Sequence, residues 1–584
     1  MTTFMMVLRR PSWAPALVLI CALTPLSAQR RVPPKRSSQI QDGFGINADL
    51  PRDPYLPWNQ HWWTRMFDAG VSWIRIGQYE NTSDYTSWDW IEQKRGVLAV
   101  PPGLDGYVDS LVDNGVKVQV QLLYGNPMYT APAGKLPDAI VPEPGSFHNP
   151  DRSLYSAFWP PKTPDQIAAF IRYVQFMVRH FHGRIQYYAL WNEQDIDYWN
   201  PQPNPEEYGR LLKAFIPAVH DADPQAKVIY GGQADPSRDF ARRALDACQC
   251  AAGIDVFAYH TYPGYGRNLN PETMDTIAYG KESPAKLREL VRGYPGIRKD
   301  IPFWDDEFNS IPSWTGSDES VQAKYIPRGL LYNWARGVRT FVWLLTAATD
   351  GNEYDDFGMI HGLRYLPDDF QPRPVYYALQ NTNALFADTH LDPAITVTAP
   401  LHDRPLLAYG FRSKSGKPIV AYWLAVHSKP GNAFSALHAD ITVKNAGIRH
   451  PLLIDLVTGT MEPIAQHAGD VFRNLPVRDS VMAIADEDYF DWPVLPEAPS
   501  SLTASTSGDS VQLRWQMNGG DASQAIIERR AGESGPWTRI AKQAAANAEY
   551  ADAGAPAGLL CYRVRAANSK GESAYSNVVR VSRP

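Results

Sequence analysis

The chain has 584 residues, which is too long for one hydrophobic core and predicts roughly three or four structural units. Its formal net charge of −6 argues against a nucleic acid or an anionic membrane surface as partner, because both bind basic surfaces. A hydrophobic fraction of 44% and a charged fraction of 20% are ordinary for a folded globular protein.

The first 28 residues have the pattern of a secretion signal. Arg9 and Arg10 precede an apolar run from Ala14 to Leu26, and Ser27-Ala28 offers small residues for cleavage. The run is too short to span a membrane as a stable helix. We therefore expect residues 1–28 to be a signal peptide, the protein to be secreted or periplasmic, and no segment to be inserted in a membrane.

Cysteine is too scarce after residue 28 to form a disulfide scaffold, because only Cys248, Cys250 and Cys561 remain. A Cys248–Cys250 bridge is conceivable in an oxidising compartment, although so short a loop is strained. The spacing is not that of a zinc site. The sequence therefore predicts no metal and no cofactor, and it gives no indication of the oligomeric state.

From residue 38 to 388, short apolar strands alternate with amphipathic helices. A typical helix start is Thr163-Pro164-Asp165-Gln166, with an N-cap threonine, a first-turn proline and a capping-box glutamine. Eight strands alternating with helices predict a parallel sheet closed into a (β/α)8 TIM barrel. The eight predicted strands lie at residues 42–47, 71–77, 116–124, 187–191, 227–232, 254–260, 301–307 and 337–344.

Two glutamates close predicted strands of this barrel. Glu193 follows the apolar run from Tyr187 to Trp191, and Glu307 closes the seventh strand. A charge at the end of a buried strand must have partners, because burying it alone costs several kcal/mol. Active sites of such barrels lie at the C-terminal ends of the strands. Each glutamate taken alone could equally be the polar start of a loop.

The run Trp191-Asn192-Glu193 resembles the acid/base signature of the clan A retaining glycoside hydrolases, in which a second glutamate closes strand seven. Leu123–Pro127 and Asp350–Gly358 are similar to segments of glycoside hydrolase family 39 and of related exopolysaccharide endoglycosidases. The resemblance implies an oligo- or polysaccharide substrate. It also implies that Glu307 attacks the anomeric carbon while Glu193 protonates the leaving oxygen and then activates water.

The resemblance assigns roles to further strand ends. Arg75 is hard to explain as core, since a guanidinium is almost never buried unpaired, and it would orient and ionise the nucleophile. Asn192 would hydrogen-bond the sugar 2-hydroxyl. His260 and Tyr262 resemble the clan's His-x-Tyr, with Tyr262 donating to Glu307. A histidine taken alone at this position would more often be structural.

Trp343 on the eighth strand resembles the tryptophan that floors the subsite beyond the scissile bond, although it could equally fill the barrel. The segment from Gly125 to Lys162, together with Tyr79, Trp88 and Trp90, could wall a cleft for several sugars or close a pocket for one. We expect endo action, with an exo-acting β-xylosidase-like enzyme as the alternative.

Two departures from the family pattern raise alternatives. Gln194 stands where the family usually has proline, and Asp305-Asp306 precedes Glu307 where a threonine is usual. Strand alternation places Asp305 on the face of Glu307, where a like charge would impair ionisation of the nucleophile. Asp306 could itself be the nucleophile, or the protein could be a non-catalytic carbohydrate-binding or adhesion protein.

Beyond residue 388 the periodicity changes to that of short antiparallel strands. Residues 389–491 predict an accessory β-sandwich, and residues 492–499 a proline-rich linker. Residues 497–584 resemble a fibronectin type III domain, with Val511–Trp515, Tyr550, Cys561–Ala566 and Ser573–Asn577 in the positions of its motifs. Such modules act as spacers or weak adhesive units in exported polysaccharide-degrading enzymes.

Overall fold

The computed structural model of the protein describes most of the chain beyond the first 29 residues. The described ranges are 30–48, 60–77, 85–132, 138–139, 158–263, 269–275, 282–315, 317–345, 357–360, 371–401, 403–431, 433–532 and 536–584. Within these ranges, no helix combines the length and the apolar character needed to cross a bilayer.

Eight parallel strands close into a barrel in chain order, with the eighth paired to the first, as the sequence predicts. Most positions in these strands are buried, because helices cover the outside and side chains fill the inside. The strands are β1 (Gly45–Asn47), β2 (Trp73–Ile76), β3 (Lys117–Leu122), β4 (Tyr187–Leu190), β5 (Lys227–Gln233), β6 (Val256–Thr261), β7 (Phe303–Phe308) and β8 (Val338–Trp343).

Helices follow or precede these strands. The capping box predicted at Thr163 is present: its hydroxyl accepts from the Gln166 amide, and the Gln166 side chain accepts from the Thr163 amide at 3.0 Å. The helices are α1 (Gln60–Asp68), α2 (Trp88–Ile91), α3 (Leu104–Asp113), α4 (Pro127–Thr130), α5 (Pro164–His180), α6 (Pro205–Ala222), α7 (Arg238–Cys248), α8 (Pro284–Gly293), α9 (Pro312–Thr315), α10 (Glu319–Trp334) and α11 (Pro374–Phe386).

The barrel interior changes from apolar to polar along the strands. Trp73, Trp304 and Phe341 pack in one buried cluster, with edge-on rings about Trp73. Gly45 on β1 makes room for this cluster, since a Cβ there would lie 2.2 Å from the Phe341 ring. Two residues further along β2, Arg75 lies among polar side chains. The apolar layer therefore supports a polar layer at the C-terminal end.

The second unit is an antiparallel β-sandwich, as predicted. A six-stranded sheet in the order β15-β14-β18-β12-β11-β9 faces a four-stranded sheet in the order β10-β13-β17-β16. The strands are β9 (Thr389–Leu391), β10 (Thr396–Thr398), β11 (Leu406–Ser413), β12 (Pro418–Leu424), β13 (Leu437–Lys444), β14 (Pro451–Asp455), β15 (Met461–Pro463), β16 (His467–Ala468), β17 (Val471–Val477) and β18 (Met482–Asp486).

The third unit is a smaller two-sheet sandwich around a core of its own that includes Trp515 and Tyr562. Its likeness to a fibronectin type III domain stays a prediction. The unit is docked on helix α3 of the barrel by Arg563, which donates to Asp113 at 2.5 Å. Its strands are β19 (Ser500–Ser507), β20 (Ser510–Gln516), β21 (Gln524–Ala531), β22 (Thr538–Ala544), β23 (Glu549–Asp552), β24 (Gly558–Asn568), β25 (Gly571–Tyr575) and β26 (Val579–Arg583).

Cys248, the last residue of α7, forms a disulfide with Cys250. The conceivable short bridge is therefore present in the structure. Cys561 is buried in β24.

A buried ion pair joins the barrel to the second unit. Arg328 on α10 is fully buried and donates two hydrogen bonds to the Glu272 carboxylate, at 2.7 and 2.6 Å. The Trp423 indole on β12 donates to the same carboxylate at 2.6 Å. Burial alone would raise the pKa of Glu272, but the Arg328 charge outweighs it and lowers the pKa. Glu272 is therefore ionised and held by both units.

Removing the cation from this pair is expected to destabilise the protein strongly. Arg328→Met leaves the Glu272 carboxylate buried without its counter-charge, and breaking such pairs costs about 3–5 kcal/mol. The control is Arg242→Met on α7, whose ion pairs with Asp239 and Asp246 are exposed and contribute little. Thermal unfolding should show a large fall in midpoint for the first variant alone, and equal midpoints would contradict the prediction.

Candidate active site

Glu193 and Glu307 face each other at the C-terminal end of the barrel. One carboxylate oxygen of each lies within 4.8 Å of the other and of a ring nitrogen of His260. The Glu193 side chain is 13% exposed and the Glu307 side chain 7%. The two glutamates that the sequence singled out are therefore brought together, and both side chains keep some exposure to solvent.

Arg75 is the fully buried centre of this cluster. Its guanidinium donates to Glu307 Oε1 at 2.6 Å and to Asn192 Oδ1 at 2.6 Å. It also donates to Asn47 Oδ1 at 3.2 Å, and its Nε lies 3.3 Å from Asp306 Oδ2. Burial lowers the pKa of Arg75, but the charges of Asp306 and Glu307 outweigh it and raise the pKa. The side chain is therefore a permanent buried cation.

His260 connects the two glutamates. Its Nδ1 lies 2.9 Å from Glu193 Oε1 and 3.5 Å from Glu307 Oε2, and its Nε2 lies 3.4 Å from Asp306 Oδ1. Burial lowers the pKa of His260, but the surrounding carboxylates outweigh it and raise the pKa to about 10. The ring is therefore protonated at neutral pH; its Nδ1 donates to Glu193, and its Nε2 lies between Asp306 Oδ1 and Arg75 Nη2, each at 3.4 Å.

The three remaining residues of the predicted set also lie here. The Tyr262 hydroxyl donates to Glu307 Oε2 at 2.7 Å. The Asn192 amide is oriented by two donors on its Oδ1, Arg75 and Gln121, while its Nδ2 donates to the Tyr124 hydroxyl at 3.4 Å. Trp343 at the end of β8 packs against Tyr262 in a small apolar cluster.

Asp305 does not share the face of Glu307, and that prediction was wrong. Tyr259 pairs with Asp305 and His260 with Glu307, so Asp306 is an extra residue that bulges β7 and resets its alternation. Asp305 turns outward, where the Asn333 amide donates to it at 2.9 Å. Burial raises its pKa well above the usual range, so it is neutral and adds no charge beside Glu307.

Asp306 lies beneath the cluster and is fully buried. The Gln119 amide donates to its Oδ2 at 2.9 Å. Burial raises the pKa of Asp306, but the Arg75 and His260 charges outweigh it and lower the pKa. Asp306 is therefore an ionised counter-charge without solvent access, which does not fit the alternative role of nucleophile.

Glu193 holds its proton more tightly than an ordinary carboxyl group, whereas Glu307 is paired with a cation. Burial and the Glu307 charge raise the pKa of Glu193, and the hydrogen bond from His260 does not offset them. Two cations, Arg75 and His260, then face two anions, Asp306 and Glu307. The buried charges balance with the Glu193 proton in place, which matters because an uncompensated buried charge is costly.

Glu193, His260 and Glu307 form the one group in the described part of the chain whose ligand atoms lie close enough for a metal ion. A metal requires a neutral histidine, whereas the carboxylates around His260 keep it protonated. The Arg75 cation already binds Glu307 Oε1. The donor set fits proton transfer rather than cation binding.

Sequence reasoning missed the polar supports from β1 and β3. The Asn47 amide donates to the Asp306 carbonyl at 3.0 Å, and Gln119 and Gln121 donate to Asp306 and Asn192. The signal was present in β3, where two glutamines alternate with Val118 and Val120 in a strand predicted to be buried. Buried amides require partners, which predicts a polar interior at that point.

The backbone that carries Glu193 is strained. Trp191 and Glu193 both have left-handed backbone angles, with φ of 66° and 50°. Each costs roughly 1–2 kcal/mol for a residue other than glycine. The Glu193 amide donates to the Gly232 carbonyl at 2.9 Å, and the Trp191 indole to the Tyr198 carbonyl at 3.0 Å. Such a turn persists only where its surroundings hold it.

One predicted wall of the cleft is core instead. Trp88 is fully buried, stacked on Tyr129 and hydrogen-bonded to Glu92, because helix α2 turns it toward α5. Trp90 is partly buried beside Tyr85. Tyr79, much of the segment between Gly125 and Lys162, and Asp350–Asp356 of the acidic loop lie outside the described residues.

Neutralising each of the two neighbouring aspartates should change the free energy of unfolding by very different amounts. Asp305→Asn replaces a neutral acid by an isosteric amide that still accepts from Asn333, so stability should change little. Asp306→Asn removes the counter-charge of Arg75 and His260, which should cost about 3–5 kcal/mol. Denaturant unfolding of the matched pair measures both values. A comparable loss in Asp305→Asn would contradict the protonation states given above.

No family model matches this chain, and no curated protein matches it. Solved structures are similar in fold. A family 39 glycoside hydrolase from Bacteroides cellulosilyticus WH2 is 18% identical over 78% of this chain and 83% of its own, with a TM-score of 0.57. A bacterial orthologue of human α-L-iduronidase is 15% identical over 95% and 98%, and a family 39 β-xylosidase from Caulobacter crescentus 14% over 78% and 98%, each with a TM-score of 0.48. The first likeness establishes that the chain shares the fold of a family 39 glycoside hydrolase.

Proposed function

We propose that the protein is a retaining glycosidase that hydrolyses O-glycosidic bonds of an oligo- or polysaccharide in two displacement steps. The observation that carries the proposal is the pair Glu193 and Glu307, with carboxylate oxygens within 4.8 Å of one another across His260. Retaining enzymes hold their carboxyl groups about 5–5.5 Å apart, whereas inverting enzymes need roughly 6.5–9.5 Å for an intervening water. A pair of carboxylate oxygens this close supports the shorter, retaining spacing.

Glu307 is the proposed nucleophile. Arg75 donates to its Oε1 and Tyr262 to its Oε2, so the carboxylate is paired with a cation and fixed in orientation. In the first step an oxygen of Glu307 bonds to the anomeric carbon while the glycosidic bond breaks. The leaving oxygen takes the proton of Glu193.

Glu193 is the proposed acid and then base, and its surroundings account for the change of role. The Glu307 charge is one cause of its raised pKa. Once Glu307 is an ester that charge is gone, so the pKa of Glu193 falls and its carboxylate can take a proton from water. Protonated His260 at 2.9 Å stabilises this carboxylate. Water then attacks the anomeric carbon and releases Glu307.

The substrate contacts follow from the same geometry. Asn192, whose Oδ1 accepts from Arg75 and Gln121, would donate from its Nδ2 to a sugar 2-hydroxyl in place of its 3.4 Å contact with the Tyr124 hydroxyl. Trp343 lies beside Tyr262 and would floor the subsite beyond the scissile bond. Endo action is proposed from the length of the segment between Gly125 and Lys162, although Trp88 no longer supports it.

The non-catalytic alternative loses its main argument. It rested on the acids Asp305 and Asp306 beside Glu307 and on the fibronectin type III-like tail. Burial raises the pKa of Asp305, which is turned toward Asn333, and Asp306 is the counter-charge of Arg75 and His260. The buried charges around Glu193 also exceed what a sugar-binding surface needs, because such surfaces bind through exposed aromatic and neutral polar groups.

Substituting either glutamate should strongly lower the rate of hydrolysis. Glu307→Gln should lower turnover of aryl glycosides and polysaccharides by more than about 10⁴-fold, since no covalent intermediate can form. Glu193→Gln should cost about 10²–10⁴-fold with poor leaving groups. Asp197→Asn, an exposed acid on the same turn, is the control.

The same assays report stereochemistry, pH dependence and mode of action. The wild-type rate should fall as pH rises through the raised pKa of Glu193, because the first step needs its proton. Proton NMR should show the retained anomer, and early products from a polysaccharide should be oligosaccharides. An inverted product would contradict the mechanism, monosaccharide release alone would favour the exo alternative, and sugar binding without any turnover would favour a binding protein.

We also infer that the protein is exported. Arg9-Arg10, the apolar run to Leu26 and the small residues before Gln29 support this, and they lie outside the described residues. N-terminal sequencing of protein from the medium or periplasm should begin at Gln29, and recovery of an uncleaved chain from the cytoplasm would refute the inference.

A further inference from the structure

The turn after β4 is fastened to the end of β5 by two residues that have no role in the proposed chemistry. Gln194 is fully buried, and its side-chain amide donates to the Gly231 carbonyl at 2.9 Å. This contact lies beside the bond from the Glu193 amide to the Gly232 carbonyl. Gln194 therefore anchors the turn at the residue directly following Glu193.

Asp195 provides the second attachment. Its Oδ1 accepts from the Ala234 amide and its Oδ2 from the Asp235 amide, both at 2.8 Å. A carboxyl group that accepts from two consecutive amides is fixed in direction as well as in distance. Burial raises the pKa of Asp195 to about 7, and the two amides partly offset this by favouring the carboxylate. The turn is thus joined to β5 and the residues after it by four hydrogen bonds.

The end of β5 is itself fixed against the site. A Cβ at Gly231 would lie 2.1 Å from the Leu190 carbonyl, and one at Gly232 would lie 2.2 Å from His260 Nε2. Only glycine permits this approach of β5 to β4 and to His260. The bonds from Gln194 and Asp195 therefore place Glu193 with respect to His260.

We propose that Gln194 and Asp195 are positioning residues that hold the strained turn so that the Glu193 carboxyl stays in place for proton transfer. The inference rests on the proposed function, in which Glu193 protonates the leaving oxygen. Glu307 attacks from β7 and is untouched by the turn. Loss of the hydrogen bonds made by the Gln194 and Asp195 side chains should therefore impair acid catalysis and leave nucleophilic attack intact.

The dependence of the rate on the leaving group distinguishes impaired acid catalysis from impaired nucleophilic attack. A 2,4-dinitrophenyl glycoside departs without a proton, whereas a phenyl glycoside needs one. Asp195→Ala should lower kcat/KM on the phenyl substrate on the order of 100-fold, the loss typical of a displaced catalytic group. It should change kcat/KM on the dinitrophenyl substrate by less than about 3-fold, because this ratio reports the steps up to formation of the glycosyl-enzyme and the contacts of Glu307 are unchanged.

Three further variants complete the design. Gln194→Met keeps the size of the side chain but cannot donate to Gly231, and it should show the same selectivity to a smaller degree. Asp195→Asn keeps one accepting oxygen and should lie between wild type and Asp195→Ala. Asp197→Ala, an exposed acid of the same turn, should match wild type on both substrates. Thermal melting confirms that each variant is folded.

Equal losses on both substrates, or no loss on the phenyl glycoside, would overturn the proposal. Crystal structures of Asp195→Ala and wild type decide it independently of activity: Glu193 Oε1 should leave its position 2.9 Å from His260 Nδ1 in the variant alone. If wild type hydrolyses no glycoside, the proposed function is wrong. If Glu193 does not move in Asp195→Ala, the positioning role of Asp195 is wrong, whatever the activity.

Discussion

The burial of the Arg75 guanidinium is the constraint on which the site and the barrel both depend. Its partners come from different strands: Asn47 on β1, Asn192 after β4, and Asp306 and Glu307 on β7. An unpaired buried cation is prohibitively costly, so the strands must close in the register that brings these groups together. A slip of one residue in β2 would turn Arg75 toward the outer helices. The register of the strands therefore determines the geometry of the site.

Asp306 gives this arrangement its electrostatic balance. With one anion beneath the guanidinium and Glu307 above it, Arg75 can stay charged while His260 also carries a proton. Low-dielectric surroundings strengthen every such interaction and penalise every missing partner. Asp306, which the sequence alone left open as an alternative nucleophile, is the counter-ion that permits two cations, Arg75 and His260, to lie beside Glu307.

The sequence allowed the barrel, the sandwich and the seven candidate site residues to be predicted, because strand ends in this fold converge on one place. It could not reveal the bulge at Asp306, since alternation assumes a regular strand and a bulge depends on the register of β6. Trp88 was misassigned because an aromatic residue in a loop has no periodicity to show which side it faces. Gln119 and Gln121 were overlooked although two amides in a buried strand are a usable signal.

The second unit contributes to the site although none of its side chains reaches the two glutamates among the described contacts. Ile419 and Trp423 on β12 face the barrel core, while Val420 and Tyr422 face the second sheet, so β12 is buried on both sides. Trp423 also donates to Glu272, which lies in the segment after β6. That strand carries His260 and leads to Tyr262, the two residues that orient Glu193 and Glu307. Packing of the sandwich thus holds this segment, and a barrel separated from the sandwich would lose the Trp423–Glu272 hydrogen bond together with part of its apolar core.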